Sequence, residues 1–182
     1  MKKLVFSLAL VGVFLLMSSA ALAANLGVVL VGGTDYKDAH FTDEMIALAK
    51  ESFNPTVSLA IGTDEQARYQ NFWTQKGHLE EGELTPAIIQ EYARFSGHDK
   101  VLFLVVKDPV VDEKQLKTPL FTLDLKHRVT VEVKGYLADR EQIINGISAV
   151  NEDSSRISQL RARLGAFKKS VQFIYGKVSP QL

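Results

Sequence analysis

The sequence predicts an α/β (α+β) fold: a mixed sheet of about five strands with helices packed on it and a long C-terminal helix. Three observations carry this. Residues 26–31 (LGVVLV) and 100–106 (KVLFLVV) are apolar without alternation, as strands covered on both faces are. Residues 121–137 alternate instead: Phe121, Leu123, Leu125, His127, Val129, Val131 and Val133 take one face, with polar or charged residues between them. That is the period of a half-buried strand. Ile157, Leu160, Leu164, Phe167, Val171 and Ile174 recur at spacings of three and four, the stripe of a helix lying on a core.

The remaining elements follow from punctuation. Gly32 and Gly33 close the first strand. Thr42, followed by Asp43 and Glu44, is the expected N-cap of a helix whose apolar face holds Ile46, Ala49 and Phe53, and Asn54-Pro55 stops it. Residues 56–61 make a second strand. Thr63-Asp64-Glu65-Gln66 matches a capping box, starting a helix that runs to Lys76 and stops at Gly77. Thr85-Pro86 opens a third helix, which Gly97 ends. Residues 108–119 read as the one long loop, and residues 138–141 turn the alternating strand into another over 142–150, with a short helix as the alternative. The last helix is expected over 154–177. Buried strands alternating with helices, then an amphipathic hairpin, imply a mixed sheet with helices against it.

The first residues carry an address. Lys2 and Lys3 precede an apolar run over 4–17, and Ala21-Leu22-Ala23 is a small-x-small cleavage pattern. The run is shorter than the roughly 18–20 residues that span a bilayer, so a cleaved signal peptide over 1–23 and a single globular domain over 24–182 are expected, with no membrane insertion after cleavage. The protein is then periplasmic or secreted. With no cysteine in the 182 residues there is no thioether lipid anchor, no disulfide and no thiolate metal site. Removing residues 1–23 takes away two lysines and no acid, leaving 19 basic against 21 acidic residues. That balance gives no electrostatic reason to expect nucleic acid as a partner.

Two groups of residues are candidate sites. Tyr69, Phe72 and Trp73 share one helix face at i, i+3, i+4 spacing, and His78, Glu80 and Glu81 follow in an acidic loop. They are candidates for a stacking surface with a polar rim. Aromatics sharing a helix face are more often core, so the reading preferred for the three rings is burial against the sheet, with recognition left to the loop. Asp35, Asp38, His40, Asp43 and Glu44 gather after the first strand, where open α/β sheets bind ligands. Asp35, Asp38, His40 and Asp43 are the candidate metal ligands, though the spacing fits neither an EF-hand nor HExxH. Gly32-Gly33-Thr34 lacks the further residues of a phosphate loop. Ser96-Gly97-His98-Asp99 puts triad residue types side by side in sequence, which is not how a triad is built. No cofactor is implied and no catalytic residue is assigned.

The order strand, helix, strand, helix, then EYARFSGHDKVLFLVV over 91–106, then a long alternating strand and hairpin, resembles an envelope fold. It is that of the N-terminal domain of the Tol translocation protein, the curli secretion lipoprotein and the lipoprotein activators of penicillin-binding proteins. In those families a helix ending in a glycine and an aspartate leads into a strand, the step that Tyr92 to Gly97, Asp99 and residues 101–106 make here. The resemblance is topological and implies the fold alone. The curli and activator proteins are lipidated, and this chain has no cysteine to carry the lipid. YQNFWTQKGHLEEG, over 69–82, is similar to a segment of small exported bacterial proteins of unknown function.

These readings lead to a non-enzymatic cell-envelope interaction or binding module, its partner an envelope protein or cell-wall component, with the oligomeric state left open. The alternative is a small metal-dependent or hydrolytic periplasmic enzyme using the acidic cluster around Asp35 and Glu44. N-terminal sequencing of the exported protein should begin at Ala24 or Asn25; any other start counts against the signal-peptide assignment.

Overall fold

The computed structural model describes residues 24–78, 80–117 and 123–182. The expected signal peptide, and Phe121 and Thr122 of the expected long strand, lie outside them. Ten main elements follow in order: β1 (Asn25–Val31), α1 (Ala39–Ser52), β2 (Ser58–Ile61), α2 (Thr63–Gln75), α3 (Pro86–Ser96), β3 (Lys100–Val106), β4 (Val110–Lys117), β5 (Leu123–Asp139), β6 (Ile143–Ser155) and α4 (Gln159–Val178).

The sheet is mixed and six-stranded. β1 lies between β2 and β3 and is parallel to both. β5 is antiparallel to β3 through residues 133–139 and to β4 through residues 123–130, so β3 and β4 follow one another along one edge of β5. β6 pairs with the other edge. The chain leaves β1 for a neighbour on one side, then returns past it to a neighbour on the other. Right-handed crossovers therefore place α1 on one face and α2 with α3 on the opposite face.

Both faces are sealed, as the unbroken apolar runs require. Leu26, Val28 and Leu30 of β1 join Leu102, Leu104, Val129, Val131 and Val133 under α1 and α4. Val29, Val101 and Phe103 meet Tyr69, Phe72, Trp73, Ile89 and Tyr92 of α2 and α3. Trp73 is 3% exposed, edge-on to Tyr69 and Phe72, so the three rings are core and not a stacking surface. The period-two register of β5 is the expected one. Val129, Val131 and Val133 are fully buried, while Thr130, Glu132 and Lys134 lie on the partly exposed face.

Four expectations are corrected. Residues 108–119 are not a loop: 110–117 form β4, which raises the strand count from about five to six. Its first four residues are exposed, so no buried face marks it in the sequence. α1 is capped by Asp38, whose side chain accepts from the His40 amide at 2.9 Å, and Thr42 already lies within the helix. The capping box does not form. The N-cap of α2 is Gly62, at φ 93°, with no side-chain cap, and Gln66 points elsewhere. Finally, Ser154 belongs to β6, paired with Arg128, and α4 starts after the cap Ser158. Ile157 then precedes the helix and is 73% exposed, so the buried stripe begins later, at Ala162. Of the expected 142–150, residues 143–150 settle as strand, turned by Asp139, whose carboxylate accepts from the amides of Glu141 and Gln142 at 2.7 Å. Those two bonds hold its pKa below the ordinary value.

Val131→Asp should lower stability by several kcal/mol, the order expected for an unpaired charge in a sealed layer. Glu132→Ala, one residue along on the open face, should change it by less than about 1 kcal/mol. Urea melts of the two variants check this, and equal effects would contradict the register.

Candidate functional site

Parallel β1 and β2 end on the same side of the sheet, and α1 and α2 begin there. Such carboxyl ends are where open α/β sheets leave a crevice. Here it is a cleft of about 350 Å³. Leu30 and Met45 give it apolar surface; Thr42, Thr63, Gln66 and Gln70 give it hydroxyls and amides; Lys37 and Glu81 give it charge. Gly62 makes the sharp entry to α2 possible. Its φ of 93° is strained for any residue with a Cβ, and a Cβ there would also meet Ile46 Cδ1 at 3.0 Å.

Gln66 organises one wall. Its Oε1 accepts from the Leu30 amide at 3.3 Å, and its Nε2 donates to Glu81 Oε1 at 3.2 Å. Leu30 lies beyond the last residue of β1 paired with β2, so Gln66 takes up an amide that the short neighbour leaves free. Lys37 Nζ lies 2.6 Å from the same Glu81 oxygen. The Glu81 side chain is only 12% exposed, whereas His78 and Glu80 of the same loop are exposed. One acidic residue of the expected recognition loop therefore reaches the cleft; His78 instead sits edge-on to Trp73, and Glu80 stays on the surface. Gly82 lies over the indole, where a Cβ would stand 3.0 Å from its ring.

The other candidate group does not converge. Asp35 pairs with Arg163 at 2.6 Å, Asp38 caps α1, and Glu44 pairs with Lys168, raising the lysine pKa. His40 donates its backbone amide to the Asp38 carboxylate, and Asp43 is exposed. Among the described residues, no group of three or more histidines, cysteines or acids is placed to hold a metal ion. Nor is any described helix long and apolar enough to cross a membrane.

A buried polar cluster lies at the opposite end of the sheet, by the amino ends of β1 and β3. The Glu65 side chain is 1% exposed. Tyr92 Oη donates to its Oε1 at 2.7 Å, His98 Nε2 is 2.9 Å from its Oε2, and Arg68 is 3.6 Å from that oxygen. Arg68 also donates to the Ser96 carbonyl at 3.0 Å, and His98 Nδ1 meets Asn25 Oδ1 at 3.1 Å. Gly27 lets the imidazole onto the sheet, since a Cβ there would stand 2.4 Å from His98 Cδ2. A buried carboxylate so fully partnered is costly to break from one side, and this one ties α2 and α3 to the sheet. Sequence reading missed it because Glu65 enters only as a member of the capping-box pattern and His98 only in a run of triad residue types that is set aside. The signal was present: Glu65, Tyr69, Phe72 run at i, i+4, i+7, so Glu65 lies on the buried aromatic face.

No family model matches the chain, and no curated protein matches it by sequence. Solved structures do resemble it. The lipoprotein GNA1162 of Neisseria meningitidis is 16% identical, over 86% of this chain and 99% of that one, with a TM-score of 0.49. The hypothetical protein CT253 of Chlamydia trachomatis is 12% identical over 86% and 98%, at 0.46. Protein XCC0632 of Xanthomonas campestris, of the DUF330 family, is 10% identical over 87% and 83%, at 0.44. These likenesses concern the path of the chain and assign no ligand or activity.

Burial raises the hydroxyl pKa of Tyr36 to about 12; Arg163 opposes the shift. Burial likewise raises that of Tyr69 to about 12, against a lowering by the neighbouring Trp73 indole. That indole N–H and the Tyr69 hydroxyl lie buried without hydrogen-bond geometry to any partner. Burial, and for Tyr92 the bond to Glu65, pushes Tyr92 and Tyr175 higher still. The native state thus favours the protonated phenols. Their contribution to stability is complete below the ordinary value of 10.0 and is lost as pH rises towards about 12. Tyrosinate absorbance from these residues should appear together with the loss of circular dichroism, in one cooperative alkaline step. Gradual ionisation in a still-folded protein would contradict their burial.

Proposed function

We propose that the chain is an exported binding protein of the cell envelope, without catalytic activity, that takes a small polar molecule in the cleft between α1 and α2. The signal-peptide pattern expected over residues 1–23 supports the location. The observation that carries the binding reading is Gln66, fixed by Leu30 and Glu81 so that the cleft wall is preorganised. Preorganised amides and hydroxyls beside apolar surface are what a small-molecule site consists of. Among the described lining residues the two charged side chains, Lys37 and Glu81, neutralise one another. The lining therefore suits a ligand of no net charge, or a zwitterion whose two charges meet the pair. The alternative of an enzyme built on Asp35, Asp38, His40, Asp43 and Glu44 has little geometric support, since Asp35, Asp38 and Glu44 are each engaged by a different partner.

The test is native mass spectrometry of the exported protein after equilibration with the small-molecule fraction of its own envelope. Wild type should retain a bound species. Gln66→Leu, which removes both bonds and keeps the bulk, should bind it roughly tenfold or more weakly, as expected for loss of buried hydrogen bonding. A bound species indifferent to Gln66→Leu, or one turned over by the protein, would overturn the reading.

A further inference from the structure

We propose that β6 is a self-association edge, at which a second copy of this chain pairs antiparallel about Ser148. Free edges invite pairing unless short, charged, bulged or covered. β2 is four residues long. β4 carries the charged residues Asp112, Glu113 and Lys114 in succession. β6 has thirteen residues, and from Ile143 to Asn151 it holds no charge and no proline.

The ladder determines which of its backbone groups are free. Glu132 O accepts from the Lys107 amide, so even-numbered residues of β5 direct their backbone towards β3 and β4. The odd ones, Val129, Val131 and Val133, direct theirs at β6, opposite Asp153, Asn151 and Ala149. In an antiparallel ladder the alternation then turns the N–H and C=O of Gly146, Ser148, Val150 and Glu152 outward. Both ends of this row are closed. Glu152 O takes Lys169 Nζ at 3.1 Å, and the Ser154 amide takes Asp153 Oδ1 at 2.9 Å. At the other end the pairing breaks at a bulge that skips Ile144. The open run, residues 146–150, is centred on Ser148, midway between the bulge and the lysine cap.

A strand with that opening fits its own two-fold copy. Pairing about Ser148 sets Val150 against Gly146 of the second chain. Val150 is 61% exposed, and the empty position at Gly146 lies 3.7 Å from the Tyr136 ring, so the isopropyl group of one copy fills the space beside the aromatic of the other. The opposite face offers a second apolar contact. Gly165 and Lys169 of α4 overlie Asp153 and Glu152, and Phe173, one turn further on the same row, is 48% exposed. The two-fold brings the Phe173 rings of both copies to the seam. No like charges face one another across residues 146–150, and pairing joins two six-stranded sheets into one.

Sedimentation of the exported chain over a range of concentrations should show a dimer. Val150→Lys, at an exposed position, and Ser148→Pro, which removes only an outward N–H, should each raise the dissociation constant about tenfold or more. Melting temperature and circular dichroism should not change at a fixed low concentration where all forms are monomeric. Because the chain has no cysteine, Ser148→Cys gives a clean second readout. Directly opposed residues of such a pair lie about 5.5 Å apart at Cα, within disulfide reach, so this variant should cross-link under mild oxidation far faster than Glu141→Cys in the neighbouring turn. A monomer at every concentration, a dimer insensitive to both edge variants, or equal cross-linking at 148 and 141 would overturn the proposal. So would an unlike envelope protein found bound at this edge in place of a second copy.

Discussion

The adjacency of β1 and β3 governs the rest of the architecture. Two parallel strands, apolar on both faces and in register from Leu26 with Lys100 to Val31 with Val105, cannot face water on either side. The four α-helices of the described residues answer that demand. α1 and α4 take one face, α2 and α3 the other, and the crossover rule decides which goes where. The cleft is a by-product of the same arrangement. It opens where β1 outruns the short β2 and a side-chain amide from α2 takes the place of the missing strand.

The two ends of the sheet solve opposite problems with related chemistry. At the amino end Glu65 is withdrawn from water and surrounded by Tyr92, His98 and Arg68, an arrangement that fixes position at the expense of desolvation. At the carboxyl end Glu81 keeps partial access to solvent, paired with Lys37 and bonded to Gln66. α2 contributes to both, through Glu65 and Gln66, adjacent in sequence and on different sides of the helix. A helix anchored by one of these residues presents the other without conformational slack.

Much of the fold was legible because burial leaves a periodic trace. The sealed strands, the alternation of β5 and the aromatic face of α2 follow from composition and period alone. β4 was not legible because its described side chains face water, and backbone pairing leaves no mark on them. The capping box failed for a local reason: Gly62 enters the helix at positive φ, which frees Gln66 for long-range bonding. The cleft was only partly legible. Glu81 and the neighbourhood after β1 stood out, but Lys37, the α2 residues Gln66 and Gln70, and Glu81 come from separate segments that only the tertiary structure brings together. The candidate metal ligands do not gather because Asp35 pairs with Arg163, Asp38 caps α1 and Asp43 faces water.

The closure of α4 over α1 has a consequence for how the chain comes to be folded. Contacts such as Tyr175 with the Met45 carbonyl and Ser179 with the Ser52 carbonyl join positions 130 and 127 residues apart. Synthesis proceeds from the other end, so Phe41, Met45 and Leu48 are made long before residues 159–178 exist to cover them. Until then the part of that sheet face not under α1 stays uncovered, and loop closure over such separations is slow. The interval between emergence of α1 and arrival of α4 is when this polypeptide depends most on holding factors and is most prone to aggregate.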